Sequence, residues 1–275
     1  MSEIERASRV FSARDGREVS WKALLSELSA SDAVFAGEKH DDPNTHRAEL
    51  ALWLGLSRRW KASAALAMEM LERDQQGPLD EYLAGKLDSE GLSKAVKLWN
   101  NYSTDYKPMV DAAMSQKLPV IASNAPALLV RKVGREGLSA ITEFDKAFLG
   151  WPTLAPEGDA YHKRFVSVMT GGAAHGPSMS EAQLARTYQA QCLRDATMAD
   201  SVARLLETRK KVFHVNGSFH SDAGLGTVAR LRWLRPFAKI SVVKCVPVAD
   251  VRRADPRPLS GEADFLIFVV GNTEA

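Results

Sequence analysis

The chain has 275 residues, of which 45% are hydrophobic and 25% are charged, so it is long enough to bury the core of a globular protein. Its 36 basic and 34 acidic residues are interspersed and leave a formal net charge of +2, which excludes a basic face dedicated to nucleic acid. The two cysteines, Cys192 and Cys245, are too few for a disulfide framework and predict packed, reduced thiols.

The beginning of the chain predicts neither export nor anchoring. Residues 1–6 carry mixed charges, and no apolar stretch of the kind found in a signal peptide follows them. No segment approaches the roughly 20 apolar residues of a transmembrane helix. We therefore expect a cytoplasmic protein that binds a small molecule, with neither nucleic acid nor a membrane as a partner.

Taken in chain order, the strand signals are apolar, β-rich runs that alternate with segments of helical periodicity. Asp42 and Pro43 mark the start of the helix after the first run, since proline is favoured in a first turn. The alternation predicts one α/β domain over residues 1–275, with a mainly parallel sheet flanked by helices. The predicted strands are residues 32–36, 64–68, 118–122, 211–215, 239–246 and 263–270.

The middle of the chain differs from its two ends. Residues 74–208 contain one clear strand signal, at 118–122, and are otherwise helical in their periodicity. Strands from both ends of the sequence are therefore expected to share one sheet. The middle segment is expected to be a mostly helical insertion that forms a lid over the edge of this sheet.

The pattern Gly-x-x-His occurs twice, ending at His40 and at His220, and each copy comes directly after an apolar run. In an open α/β sheet the carboxyl ends of the strands form the edge where ligands bind. Two imidazoles from distant parts of the chain are therefore expected to meet in one crevice. Histidine titrates near neutral pH and ligates metals and haem, so this crevice is the predicted functional site.

Other polar side chains follow the same predicted strands. Glu38 precedes His40 by two residues, Glu69 follows the second apolar run, and Asn124 follows the third. A carboxylate at such a position is either paired with a cation or functional, because a bare buried carboxylate is costly. Asn124 also fits the role of a helix cap.

The remaining histidines have simpler interpretations. His46, on the first predicted helix, is interpreted as solvent-facing or as a helix-packing residue. His214, inside a predicted strand, is interpreted as a hydrogen-bonded core residue. His175 lies near glycine-rich loops of the insertion, where mobile segments carry function, and is kept as a candidate.

An ordered set of segments resembles the ChaN-like family, described as haem-binding uptake proteins of the Tiki superfamily, and the resemblance covers most of the chain. It implies an α/β fold and a relation to Tiki proteases, TraB proteins and erythromycin esterases. The segments are VFAGEKHDD (34–42), MEM (68–70), DQQ (74–76), LDEYLAG (79–85), YKP (106–108), VIASNAP (120–126), RDATMA (194–199) and GSFH (217–220).

The resemblance implies two kinds of function. In the first, haem or a related iron cofactor is bound in an apolar slot with an axial ligand, and a haem shared between two subunits would make the protein a homodimer. In the second, a metal-dependent hydrolase uses the paired Gly-x-x-His motifs and the glutamates. A binding or scaffold protein without catalysis is the third possibility.

The residues are assigned as follows. The predicted metal ligands are His40, His220, Glu38 and Glu69, which could hold a divalent ion that activates water. Glu38 or Glu69, whichever does not hold the ion, would be the general base and so a catalytic residue. By resemblance, the cofactor-binding positions are Tyr106, Asn124, His175 and Asp195. Haem or a divalent ion, with iron favoured, is thus the expected cofactor.

Overall fold

A computed structural model gives the structure of the protein and describes residues 2–171, 179–208 and 210–271. One sheet of eight strands lies at its centre. The strands are β1 (Arg9–Ser12), β2 (Glu18–Val19), β3 (Ala33–Glu38), β4 (Ala64–Glu72), β5 (Val120–Asn124), β6 (Lys211–Gly217), β7 (Ile240–Val248) and β8 (Phe265–Val270). Their order in the sheet is β2-β1-β8-β7-β3-β6-β4-β5.

Helices cover both faces of this sheet. On β3 the even-numbered Val34 and Ala36 face one apolar cluster, and the odd-numbered Ala33 and Phe35 face another. The helices are α1 (Glu3–Ala7), α2 (Trp21–Leu28), α3 (Pro43–Trp60), α4 (Gln76–Leu83), α5 (Ser89–Ala95), α6 (Lys107–Ser115), α7 (Ala127–Glu136), α8 (Glu143–Lys146), α9 (Ala160–Gly171), α10 (Glu181–Glu207) and α11 (Gly226–Leu234). The first cluster contains side chains of α2, α3 and α6, and the second contains side chains of α10 and α11.

The predicted fold class is confirmed. The strands from β3 to β8 are all parallel to one another, and each predicted run overlaps one of them. Two strands were missed by the sequence analysis, the antiparallel β1 and β2 at one end of the sheet. They have four and two residues, too few for an alternating pattern to be recognised.

The order of the strands brings the two Gly-x-x-His motifs side by side. β6 lies between β3 and β4 although it comes some 140 residues after β4 in the chain. In the register of β3 and β6, Glu38 lies opposite Gly217. The carboxyl ends of these two strands are therefore adjacent, and the loops that carry His40 and His220 leave the sheet next to each other.

The predicted insertion contributes to two parts of the fold. Its longest helix, α10, packs on the sheet itself, where Ala199, Val202 and Ala203 contact the second apolar cluster. The shorter α9 lies beside the carboxyl edge of the sheet, where Phe165 and Val168 line the crevice described below. The insertion thus supplies a structural layer through α10 and a wall of the crevice through α9.

Candidate functional site

A cleft of about 660 Å³ opens at the carboxyl ends of β3, β6 and β7, and we call it the site cleft. Its polar lining includes Glu38, His40, Gln191, His220 and Lys244. Its apolar lining consists mainly of Phe165, Val168, Met169, Phe219, Val246 and Pro247. The two motif histidines therefore share one cleft, as expected from the strand order.

His40 is anchored by Glu38 and remains accessible. Its Nδ1 lies 2.6 Å from Oε1 of Glu38, while 42% of its side chain is exposed to solvent. Burial lowers the pKa of His40, but the bond to Glu38 and the negative charges of Glu69 and Glu38 together outweigh burial and leave the pKa above its usual value. The same contact, with a second one from His46, holds the pKa of Glu38 at about 2 although burial raises it. The imidazole is thus fixed in orientation by a buried carboxylate.

A glycine makes room for this arrangement. A Cβ added to Gly217 would lie 2.5 Å from Nε2 and 2.8 Å from Cε1 of His40, closer than any side chain allows. The backbone at Gly217 has φ −56°, which every residue can adopt, so the requirement is for space. The glycine of the second motif therefore serves the histidine of the first.

His220 is held between two carboxylates. Its Nδ1 lies 2.7 Å from Oδ1 of Asp195, and its Nε2 lies 3.2 Å from Oε1 of Glu69. Burial lowers the pKa of His220, but the charges of Glu69 and Asp195 outweigh burial and raise it to about 10. His220 is therefore a buried imidazolium at neutral pH, with Gln191 beside its ring at 3.3 Å.

Each of these carboxylates has further donors. Asp195 accepts hydrogen bonds from the hydroxyls of Tyr161, at 2.6 Å, and Thr227, at 2.8 Å. Glu69 accepts a hydrogen bond of 2.7 Å from the backbone amide of Gly217. The pairing of β4 with β5 shifts register between Met68 and Glu72, and such an irregularity redirects side chains at the end of a strand.

The predicted cofactor-binding residues lie mostly behind the cleft surface. Tyr106 is 0% exposed, and its hydroxyl donates to Oε1 of Glu38 at 2.7 Å. Asn124 is buried and donates to the backbone carbonyl of Glu69 at 2.9 Å. Tyr106 and Asn124 thus hold the end of a strand in place. His175 lies outside the described residues.

Two residues of α3 were missed as members of this region. His46 is only 2% exposed, so the solvent-facing interpretation is wrong, and its Nε2 lies 3.2 Å from Oε2 of Glu38. Glu49, one turn further along α3, is 0% exposed. Burial and the charge of Glu38 raise the pKa of Glu49 well above its usual range. The sequence did contain a signal for this burial. His46 and Glu49 are three residues apart, and Trp53 follows Glu49 by four, so all three lie on one face of α3, and that face is buried.

The core interpretation of His214 is confirmed. It is 0% exposed, and its ring bonds with the hydroxyl of Ser123 at 3.1 Å and the amide oxygen of Asn216 at 3.0 Å. Both cysteines are buried and unpaired, as predicted.

The four predicted metal ligands come to the same sheet edge in two pairs. Glu38 contacts His40, and Glu69 contacts His220. Among the described residues, one set of three or more His, Cys, Asp or Glu brings its ligand atoms within 4.8 Å of one another, and that set is Glu38, His46 and Glu49. A single ion shared by His40, His220, Glu38 and Glu69 stays a prediction that would require these pairs to draw together.

Comparisons with known proteins agree with the fold. A family model described as haem-binding uptake, Tiki superfamily, ChaN matches residues 24–231. A solved structure described as cofacial haem binding to ChaN of Campylobacter jejuni superposes with a TM-score of 0.75, 17% identity, and coverage of 96% of this chain and 97% of that one. A mutant erythromycin esterase EreC in its open conformation superposes with a TM-score of 0.55, 13% identity, and coverage of 97% and 98%. No curated protein matches the sequence.

No helix among the described residues is both long enough and apolar enough to cross a lipid bilayer.

Proposed function

We propose, because this chain belongs to the haem-binding uptake family of the Tiki superfamily that includes ChaN, that it binds haem in the site cleft. The single observation that carries the location is the state of His40. Its Nδ1 is bound to a buried carboxylate, and its ring is 42% exposed beside an apolar wall. Metal-binding histidines commonly have one ring nitrogen on a carboxylate, which leaves the other nitrogen as the ligand.

The residues of the site cleft fit a porphyrin. Haem needs an apolar slot with an axial ligand, and the wall of Phe165, Val168 and Met169 faces the edge that carries His40. The missing Cβ of Gly217 gives the ring of His40 the room to keep its place beside Glu38 at the mouth of the site cleft. We therefore propose that His40 would hold the haem iron. Bound haem would supply an iron centre, and Glu38 would strengthen His40 as its ligand.

Tyr106 has a different part in this proposal. Its hydroxyl is buried and donates to Glu38, so in this arrangement it positions the carboxylate that positions His40. A tyrosine that ligated iron directly would first have to release Glu38. We propose Tyr106 and Asp195 as positioning residues for the two histidines, and we keep His175 as a candidate ligand to be tested.

Titration with haemin tests the proposal. We expect saturable binding with a shifted Soret band, loss of that band in His40→Ala, and affinity about 10–100-fold weaker in Glu38→Gln, because the partner of a ligating histidine commonly contributes this much. His162→Ala, on α9 but outside the lining of the site cleft, is the matched control and should bind as the wild type does.

Two further variants distinguish the candidate ligands. If Tyr106→Phe retains the spectrum of the wild type with weakened affinity, Tyr106 acts through Glu38; if the spectrum itself changes, Tyr106 is the ligand. A changed spectrum in His175→Ala would assign the iron to His175. Unsaturable binding by the wild type would contradict the haem proposal as a whole.

We also propose that two copies of the protein share the bound haem. Val168 on the wall of the site cleft is 58% exposed, and a second copy covering it would remove this apolar surface from water. Light scattering before and after saturation with haemin tests the stoichiometry. A monomer in both states would contradict the homodimer and leave the binding proposal intact.

One observation favours a second function, which is hydrolysis. His220 is held as an imidazolium between Glu69 and Asp195, and haem binding requires no such charge. Nε2 of His40 would take a proton from a water that adds to an ester carbonyl. The imidazolium of His220 would stabilise the negative oxygen by exchanging its 3.2 Å contact with Glu69 for that oxygen, and the proton on His40 would pass to the leaving alkoxide.

A pH profile of ester hydrolysis by the haem-free protein tests this second function. The rate should rise as His40 loses its proton, at a pH above the usual histidine value of about 6.5. It should fall again near pH 10, where His220 loses its charge. Equal rates in wild type, His40→Ala and His162→Ala would exclude hydrolysis at this site.

A further inference from the structure

Behind β3, on the side that faces α3, three buried side chains converge. Glu38, His46 and Glu49 are 2%, 2% and 0% exposed, and one ligand atom from each lies within 4.8 Å of the others. His46 and Glu49 are three residues apart on α3 and so project from one face of the helix. Glu38 also lines the site cleft, but His46 and Glu49 do not, so the cluster lies behind the cleft and shares Glu38 with it.

The cluster has unpaired acceptors. Both carboxylate oxygens of Glu49 are completely buried, and no hydrogen bond reaches them from the described residues. A buried polar atom without a partner costs on the order of 1–3 kcal/mol, and more when it is charged. Buried charges in proteins are paired or coordinate metals. The oxygens of Glu49 and Glu38 therefore mark a place that is filled by a shared proton or by a cation.

The surroundings of His46 have the form found around metal-binding histidines. Nδ1 of His46 lies 3.1 Å from Oδ2 of Asp105, close enough for an ion pair but without hydrogen-bond geometry, and Nε2 lies on the side of the ring near Glu38. Asp105 accepts a hydrogen bond of 2.8 Å from the side-chain amide of Asn101. The hydroxyl of Tyr106 lies 3.3 Å from Nε2 of His46. A π-helical turn, Tyr102–Tyr106, brings Asp105 and Tyr106 to the same point.

We propose that Glu38, His46 and Glu49 bind a divalent transition-metal ion such as Zn²⁺, with Asp105 as the outer partner of His46. The distance of 3.2 Å between Nε2 of His46 and Oε2 of Glu38 matches the separation of about 3.3 Å between two ligands of a tetrahedral ion with bonds of about 2.0 Å. The ion would neutralise two carboxylates and fix Glu38, which anchors His40. This site goes beyond haem binding and does not depend on it.

Elemental analysis of the whole protein, purified without chelator and then dialysed against Zn²⁺, tests the proposal. We expect one equivalent of metal per chain in the wild type, and its loss in Glu49→Gln. Glu69→Gln is the matched control, because it makes the same change in a buried carboxylate outside the cluster and should retain the metal. Metal lost from Glu69→Gln but retained by Glu49→Gln would move the ion to the His220 side and overturn the proposal.

Two measurements keep the proposal testable if Glu49→Gln folds poorly. Asp105→Asn leaves the three ligands in place and should weaken Zn²⁺ affinity by about 10–100-fold. In the wild type, Zn²⁺ should raise the melting temperature of the chelator-treated protein. If Zn²⁺ causes no shift and no metal is found, the oxygens of Glu38 and Glu49 share a proton instead, and the metal site does not exist.

Discussion

His40 and Gly217 are packed so closely that a methyl group added at Gly217 would collide with the ring of His40. Because the colliding atoms belong to an imidazole that can rotate, Gly217→Ala should displace His40 from Glu38 and cost little stability, within about 1 kcal/mol. Haemin affinity should fall at least as far as it does in Glu38→Gln. Titration and urea unfolding of the same sample measure both effects.

Gly134→Ala provides the comparison for this change. Gly134 lies inside α7, and a Cβ placed there would meet nothing within 4 Å. Alanine should therefore stabilise the protein by about 0.5–1 kcal/mol and leave haemin binding unchanged. Wild-type affinity in Gly217→Ala would show that His40 does not need the position it occupies here.

His214 predicts a loss of stability in acid. Burial lowers its pKa to about 4, compared with about 6.5 in an unfolded chain. The folded state therefore favours the neutral imidazole, and its contribution to stability is complete above pH 6.5 and lost as the pH falls from 6.5 towards 4. Between pH 7.5 and 5 this loss amounts to about 2 kcal/mol, at about 1.4 kcal/mol per pH unit.

The variant His214→Gln isolates this contribution. It lacks the titrating group but shares all the carboxylates, so the advantage of the wild type over the variant in free energy of unfolding should shrink by about 2 kcal/mol between pH 7.5 and 5. Urea unfolding at the two pH values gives the difference. A constant difference would mean that the ring of His214 takes up its proton in the folded state as readily as in the unfolded chain.

Arg164 joins helix α9 by ion pairs to two loops that lie between strands of the sheet. Arg164 donates to Glu262 at 2.8 and 2.9 Å and to Asp222 at 2.8 Å. Arg164→Gln should loosen the wall of the site cleft, raise amide exchange across residues 160–171 and weaken haemin binding, while Lys244 still pairs with Asp222 at 2.6 Å. Lys163→Gln changes the exposed neighbouring residue and should alter neither the amide exchange nor the haemin affinity. Equal amide exchange in the two variants would contradict this role of Arg164.

The elements were predictable to different degrees, for physical reasons. Strands β3, β4 and β6 are buried between helical layers and contain nearly continuous apolar runs, which can be recognised from the sequence. Their carboxyl ends gave His40, His220 and Glu69. The change of register in β4 that accompanies Glu69 could not be predicted, because no residue type in that segment indicates it. The polar set of His46, Glu49 and Asp105 was missed because charged residues on a helix usually face water.

The connectivity of the sheet predicts that the described chain unfolds as one unit. β6 pairs with β3 on one side and β4 on the other, so the sheet has no break between its two ends. Far-ultraviolet circular dichroism and tryptophan fluorescence should give coincident urea transitions. Two separated transitions would divide the protein into independent domains and contradict the single-domain prediction.

A fragment tests the same connectivity. Residues 1–208 retain α10 but lack β6, β7 and β8, so β3 loses both of its neighbours in the sheet. We expect this fragment to show no cooperative unfolding transition. A sharp transition with native-like helix content would show that the layer formed by α3 and α10 is stable without the central strand.

The position of β6 also sets when, during synthesis, the protein can assemble. When residue 208 leaves the ribosome, β3 and β4 have been made for over 130 residues, and the strand that joins them is still untranslated. Their apolar edges stay open throughout this time, and open edges of this kind pair readily with other chains. We therefore expect the nascent chain to be most prone to pairing with other chains until its last quarter emerges, and His40 comes to lie beside Gly217 only then.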